Sequence, residues 1–367
     1  MTLSIANPLG AGPVTDSGPR TLPDDIRAAV QASADALDGA DGQARGVLAM
    51  LGAVGLADLG APRNTDVALP EMARIISDLA EECVSSAFTT WANRMAIEYL
   101  TLADSEYARQ VLPGLRSGTT PGITGMASAF RDLAGCGSIE ITATPDGDGY
   151  LLNGPIRWAS NLYDDALLVT AARTTGGDRI VVALPLSQAG VAVGKPFSLL
   201  ALNATASSYL NLTDVRIGGH QVLTRDFETF LGHARPTFLV LQTAICAGLA
   251  RTCLDNARGG LVGVNSVFAG EVDALGGKLA LVRSAMTRTA HGVGGPLEAT
   301  RPELLSMRLA GAEVACAAAG LEARTAGGKG YASRSGASRR FREAAFIPVQ
   351  SPSEAQLRWE LAQCSHQ

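Results

Sequence analysis

Two changes of hydrophobic period divide this chain, and they constrain its fold more than any other feature. Up to residue 120, apolar residues recur at helical spacing. Leu69–Cys83 (LPEMARIISDLAEEC) stacks Met72, Ile75, Ile76 and Leu79 on one face behind an early proline. Pro23–Gly39 opens on two aspartates and stops at its glycine. Gly42–Leu56, Ser86–Leu102 and Glu106–Leu112 repeat the pattern. From Pro121 to Val222, short strand candidates take over: SIEITAT, GYLLNG, ALLVTAAR, RIVVALPL and SSYLNLTDVRI. Asp146-Gly-Asp-Gly149 and Thr174-Thr-Gly-Gly177 supply hairpin turns between them. Helical spacing returns after Arg235 in Pro236–Ala257, Glu271–His291 and Glu303–Ala326. The order predicts an α+β protein: a loose lead-in over residues 1–22, a helical unit over 23–120, an antiparallel β unit over 121–232 and a helical bundle over 233–367.

Composition narrows the function classes. A net charge of −5 offers no basic field for a nucleic-acid backbone. The first twenty residues lack a basic segment followed by an apolar one, which predicts a cytoplasmic protein. The longest apolar stretch, Pro236–Ala250, lies between Arg235 and Arg251 and carries Gln242, so a buried helix is expected there and no membrane span. Six cysteines without CxxC spacing read as free thiols, and no HExxH pair suggests a metal site.

Two short segments hold residue types suited to a flat cofactor carrying phosphate. In Gly149-Tyr-Leu-Leu-Asn-Gly-Pro-Ile-Arg-Trp-Ala-Ser-Asn161, Trp158 offers a broad aromatic face. Ser160, two residues on, would lie on the same side of an extended strand with a hydroxyl to donate. In Gly327-Gly-Lys-Gly-Tyr331, followed by Arg339-Arg-Phe-Arg-Glu343, glycines Gly327, Gly328 and Gly330 let backbone approach a phosphate. The same glycines would also serve as a helix C-cap.

These segments and the α-β-α order resemble the acyl-CoA dehydrogenase superfamily of flavoproteins over residues 23–362. There the middle unit carries G-Y-x-L-N-G-x-K-x-W-[IA]-[TS]-N and the last unit G-G-x-G-Y…R-x-x-R-[DE]. The resemblance implies an acyl-CoA dehydrogenase-like fold with FAD as cofactor, or FMN as the alternative. It implies that Trp158 packs on the dimethylbenzene side of the flavin and that Ser160 bonds N5 or O4. Thr124 would place a hydroxyl on the pyrimidine edge, and Gly327, Gly328 and Gly330 would meet a pyrophosphate, often that of a neighbouring subunit. A homodimer or homotetramer is implied too.

The sequence also departs from that pattern. Where the superfamily has a Glu-Pro…Gly-Ser-Asp run that helps hold coenzyme A, this chain reads Gly125-Met-Ala-Ser-Ala-Phe-Arg131. The Arg-x-x-Phe-Gly segment for the adenosine end is reduced to Arg258-Gly-Gly-Leu-Val-Gly and a displaced Phe268. The catalytic Glu-Gly-Thr loop falls on Ser351-Pro352-Ser353, preceded by Gln350 and framed by Pro348 and Pro352. The alternative position of the base, on the first helix of the last unit, holds Phe238. Neither Ser nor Gln removes an α-proton unaided at neutral pH. Three readings follow. One is a flavin oxidoreductase that transfers oxygen from reduced flavin supplied by a partner reductase, with His233 as acid/base and Gln350 and Ser351 as hydrogen-bonding groups. Another is a dehydrogenase of acyl-CoA or acyl-carrier-protein thioesters with a relocated base. The third is a silent partner subunit of a related dehydrogenase. The substrate is expected to be a small molecule.

Overall fold

The computed structural model describes residues 22–364. The lead-in expected over residues 1–22 lies outside that span except for Leu22. Five helices come first: α1 (Asp24–Asp38), α2 (Gly46–Ala53), α3 (Leu69–Glu82), α4 (Val84–Ala103) and α5 (Glu106–Ser117). The β unit follows, with β1 (Gly122–Gly125), a short α6 (Ala127–Ala134), β2 (Thr142–Asp146), β3 (Gly149–Ala159) and β4 (Leu167–Thr174). It continues through β5 (Arg179–Pro185), β6 (Val191–Val193), β7 (Ser208–Ile217) and β8 (Val222–Thr224). The last part is α7 (Phe227–Gly259), α8 (Ala269–Gly292), α9 (Arg301–Tyr331), α10 (Gly336–Phe346) and α11 (Glu354–Cys364).

The strands form one sheet in the order β6-β7-β3-β2-β4-β5-β8, with β1 paired to β4. Most pairs are antiparallel, but β1–β4 and β2–β4 run parallel, which corrects the expectation of a purely antiparallel unit. The physical reason is that β1 and β2 reach β4 by crossovers rather than tight hairpins. The two sequence turns do form hairpins: Asp146 faces Gly149 across β2–β3, and Arg173 faces Arg179 across β4–β5.

The sheet separates two cores. Leu168, Ala172, Val182 and Leu184 join Leu152 and Leu212 in a core within the β unit. Their neighbours Leu167, Val169, Ala171 and Val181 point the other way, into the helices. Burial on both faces explains why β4 reads as a continuous apolar run. α7 runs through the middle of the helical core, with 89% of its most apolar window buried. It and α9 are long and apolar enough to cross a membrane; for α7 that burial is the property of a core helix. All six cysteines are unbonded, and no metal-binding group of side chains occurs among the described residues.

Candidate functional site

The end of β3 carries the first predicted segment. Trp158 is 63% exposed, and its ring leans on Phe197 at 4.3 Å between centroids. The strand stops at Ala159, and Ser160 follows it directly. It sits at the turn into Asn161, whose φ of 61° lies in the left-handed region. Ser160 Oγ is 2.7 Å from Ser207 Oγ, and Ser207 is 2.7 Å from Thr205 Oγ1, giving a chain of three hydroxyls. Asn161 is buried; its Nδ2 donates to the Thr89 carbonyl at 3.1 Å and the Gly122 carbonyl at 3.0 Å, tying β3 to α4 and β1. Thr124, on β1, has its Oγ1 3.1 Å from Tyr99 Oη. Burial pushes the Tyr99 phenol well above its usual range, so it stays protonated.

At this junction three buried polar atoms have no partner: Thr89 Oγ1, Thr90 Oγ1 and Asn161 Oδ1. Each such atom costs about 1–3 kcal/mol unless something pairs with it. Three of them around one junction suit the polar edge of a ligand.

The glycine segment behaves in two ways. α9 runs on to Tyr331, with Gly327 kinked out at φ 58° and ψ −145°. A Cβ at Gly327 or Gly328 would meet nothing within 4 Å, so their backbone lies open to an incoming group. Gly330 is buried, and a Cβ there would come within 2.5 Å of Ala326 Cβ. It is a packing glycine. The arginines that follow hold helices. Arg339 donates to the Glu82 carbonyl at 2.8 Å, and Arg342 forms a two-bond pair with Asp38, 2.7 Å each. Arg342 also donates to the carbonyls of Ser333 and Leu200. It thereby brings the end of the glycine segment to the loop that carries Phe197, the partner of Trp158.

The proline-framed loop crosses from α10 to α11. Ser353 caps the start of α11, its Oγ accepting from the Gln356 N–H at 3.3 Å. Under the loop lies Arg308 of α9, with 0% of its surface exposed. Its Nε donates to Gln242 Oε1, and its Nη2 to the Ile347 carbonyl and Gln350 Oε1, each at 3.2 Å. Gln242 Nε2 in turn donates to the Ser351 carbonyl at 2.8 Å. Arg308 Nη1, Gln350 Nε2 and Ser351 Oγ are buried without partners.

One helical turn before Gln242, Phe238 packs edge-on against Trp91 at 4.9 Å and beside Phe130 at 4.7 Å. Phe88 stacks on Trp91 and meets Phe346 edge-on. The two positions that the superfamily pattern gives to a proton-abstracting carboxylate, Phe238 and the Gln350–Ser351 loop, are therefore linked through Gln242. Neither carries a carboxylate.

His233 is not part of this cluster. It lies inside α7, which begins at Phe227, nine residues ahead of the start expected at Pro236, with Asp226 Oδ1 accepting from the Thr229 N–H. His233 is exposed, and nine residues of helix turn it about 180° away from Gln242. Glu228 lies in the first turn of α7, paired with Arg179. Sequence reasoning missed Arg308 and Glu98. Glu98 is fully buried, ion-paired with Arg94 at 2.9 Å, and accepts from Thr237 Oγ1 at 3.2 Å and the Arg63 N–H at 2.9 Å. The i,i+4 spacing of Arg94 and Glu98 was its only sequence signal.

No protein-family model and no curated protein matches the chain. Solved structures do. A glutaryl-coenzyme A dehydrogenase in complex with glutaryl-CoA superposes with a TM-score of 0.82 at 18% identity, over 92% of each chain. The butyryl-CoA dehydrogenase of Megasphaera elsdenii gives 0.83 at 15% identity, over 94% of this chain and 96% of the other. PigA with FAD and proline gives 0.79 at 16%, over 94% and 98%. The helical first part, central sheet and closing bundle are thus those of the acyl-CoA dehydrogenase fold.

Proposed function

We propose that this chain is a flavin-dependent oxidoreductase that works without a carboxylate base, as a reduced-flavin monooxygenase on a small substrate that is not a coenzyme A ester. The observation that carries the reading is the convergence of Phe238 and the Gln350–Ser351 loop on one locus, where a buried arginine and amides stand in place of a carboxylate. Abstraction of an α-proton needs a base there. Oxygen transfer needs no such base, and Arg308, Gln350 and Ser351 put hydrogen-bond donors at this locus in its place. Glu98 does not restore the dehydrogenase reading, because Arg94, Thr237 and the Arg63 N–H already hold its carboxylate.

The residues present fit a flavin. Trp158 would cover one end of the ring; Ser160, Asn161 and Thr89 would bond its polar edge, and the open backbone at Gly327–Gly328 would take phosphate. FAD is favoured over FMN by the likeness to PigA, a structure that holds FAD. The bound flavin supplies two electrons; with dioxygen, one oxygen atom enters the substrate and the other leaves as water.

Purified protein loaded with FAD, reduced by light without air and then mixed with oxygenated buffer, tests this. Reoxidation within seconds and no bleaching of the oxidised flavin by acyl thioesters are expected. Slow reoxidation together with bleaching by a thioester would establish a dehydrogenase.

A further inference from the structure

Five arginines are buried among the described residues: Arg27, Arg94, Arg235, Arg308 and Arg339. Four of them have a carboxylate within 4.0 Å: Arg27 has Asp78 and Glu81, Arg94 has Glu98, Arg235 has Glu360 and Arg339 has Glu343. Arg308 is the exception. Its partners are two neutral amides and a backbone carbonyl. A guanidinium keeps its charge at any pH a protein survives, and a buried charge without a counter-ion is costly. Clamping the loop explains Nε and Nη2 but not Nη1, nor the unpartnered Gln350 Nε2 and Ser351 Oγ. Arg308 and Gln350 share a hydrogen bond and Ser351 is the next residue, so the three spare donors belong to one network.

We infer that this network anchors a carboxylate of the substrate. The aromatic cluster names the rest of the molecule. Phe346 directly precedes Ile347, whose carbonyl Arg308 holds, and Phe238 lies one turn from Gln242. With Phe88 and Trp91 they form an apolar wall beside the cationic end. The substrate class is a small carboxylic acid with a flat apolar body. Its placement at a flavin rests on the function proposed above; the anchor itself does not.

Thermal melting of the full chain with benzoate, acetate and benzamide separates the two. Benzoate is expected to raise the melting temperature in a saturable way, and benzamide, of the same shape but uncharged, to bind at least about ten-fold more weakly. Gln350→Leu and Ser351→Ala should each weaken benzoate several-fold, and Arg308→Lys should retain part of the response. A colourless protein that still binds benzoate through these residues would keep the anchor and remove the flavin reading. Equal binding of benzamide, or no response to either acid at about 10 mM, would overturn the anchor. So would variants that lower the melting temperature while leaving benzoate affinity unchanged, since Arg308 would then be a loop clamp only.

Discussion

Gln350 is one oxygen-for-nitrogen exchange from a glutamate, and that exchange measures the field of Arg308. Its Oε1 already accepts from Arg308 Nη2 at 3.2 Å, while its Nε2 has no partner. Gln350→Glu would replace the orphaned donor with an acceptor and give the guanidinium a counter-charge. The new carboxylate should titrate below the unfolded glutamate value of about 4.3, because an adjacent cation favours its charged form. Stability should therefore rise by about 2 kcal/mol above that pH and be lost as pH falls through the lowered folded value. Urea unfolding at several pH values reads this directly, and an unchanged or reduced midpoint at pH 7 would contradict it. The same variant should not gain thioester dehydrogenation, since a carboxylate held by arginine is a poor proton acceptor. Much of this locus was legible in the sequence: Gln350, Ser351 and Phe238 stood where a base was missing. Arg308 was not, because nothing in Met307-Arg-Leu-Ala says that the arginine points inward. Its burial is a product of α7, α9 and the loop meeting in three dimensions.

Two buried glutamates flank the loop between α10 and α11, and their environments push them in opposite directions. Glu343 of α10 is lifted above its ordinary value by burial, which outweighs Arg339 and the Val84 N–H. Burial also acts on Glu360 of α11, but there Arg235, Gln356 and Arg301 outweigh it and hold the carboxylate low. The signs of the two pH dependences follow. Between the unfolded value and its raised folded value, Glu343 binds more protons folded than unfolded, so stability falls as pH rises. Glu360 contributes stability above the unfolded value that is lost as pH falls through its lowered one. Glu343→Gln should cost little at pH 8, because relieving a desolvated carboxylate offsets what Arg339 loses as its partner. Glu360→Gln should cost about 3 kcal/mol at pH 7, because Arg235 would be left buried without its charge partner. Equal effects of the two variants in chemical unfolding at neutral pH would defeat this account. Element boundaries were less legible than element types. The spacing places a helix start at Pro236, yet this residue lies inside α7, where the surrounding core tolerates its missing N–H. Asp226, the true cap, could have been read from Asp226-Phe-Glu-Thr229. The parallel pairing of β1 with β4 leaves no trace in any short stretch, since it depends on residues 45 apart.

At the scale of the whole molecule, one flank lacks cover. Val262, Val264 and Val267, at the join of α7 and α8, are 75%, 86% and 78% exposed, and Tyr331 at the end of α9 is 92% exposed. Asn265 donates to the carbonyls of Gly260 and Thr325 at 3.2 and 2.8 Å, which fixes the valine loop beside the turn leading to Gly327. Apolar residues grouped in this way mark an interaction surface more often than scattered ones do. A second copy of the chain is the occupant predicted here, because the same flank presents the open glycine backbone that a cofactor phosphate would reach. Covering each valine contributes about 1–2 kcal/mol. Light scattering on eluting protein should then report twice the 37.8 kDa of one chain, or a higher even multiple. Val264→Asp puts a charge in the middle of the patch, and since the side chain is exposed in the single chain, the fold should tolerate it. The variant should run as a monomer and retain less flavin than the parent. A parent that is monomeric at every concentration would remove the second copy from this flank. A monomeric variant that holds flavin as tightly as the parent would leave the interface standing but show that each glycine turn serves its own chain.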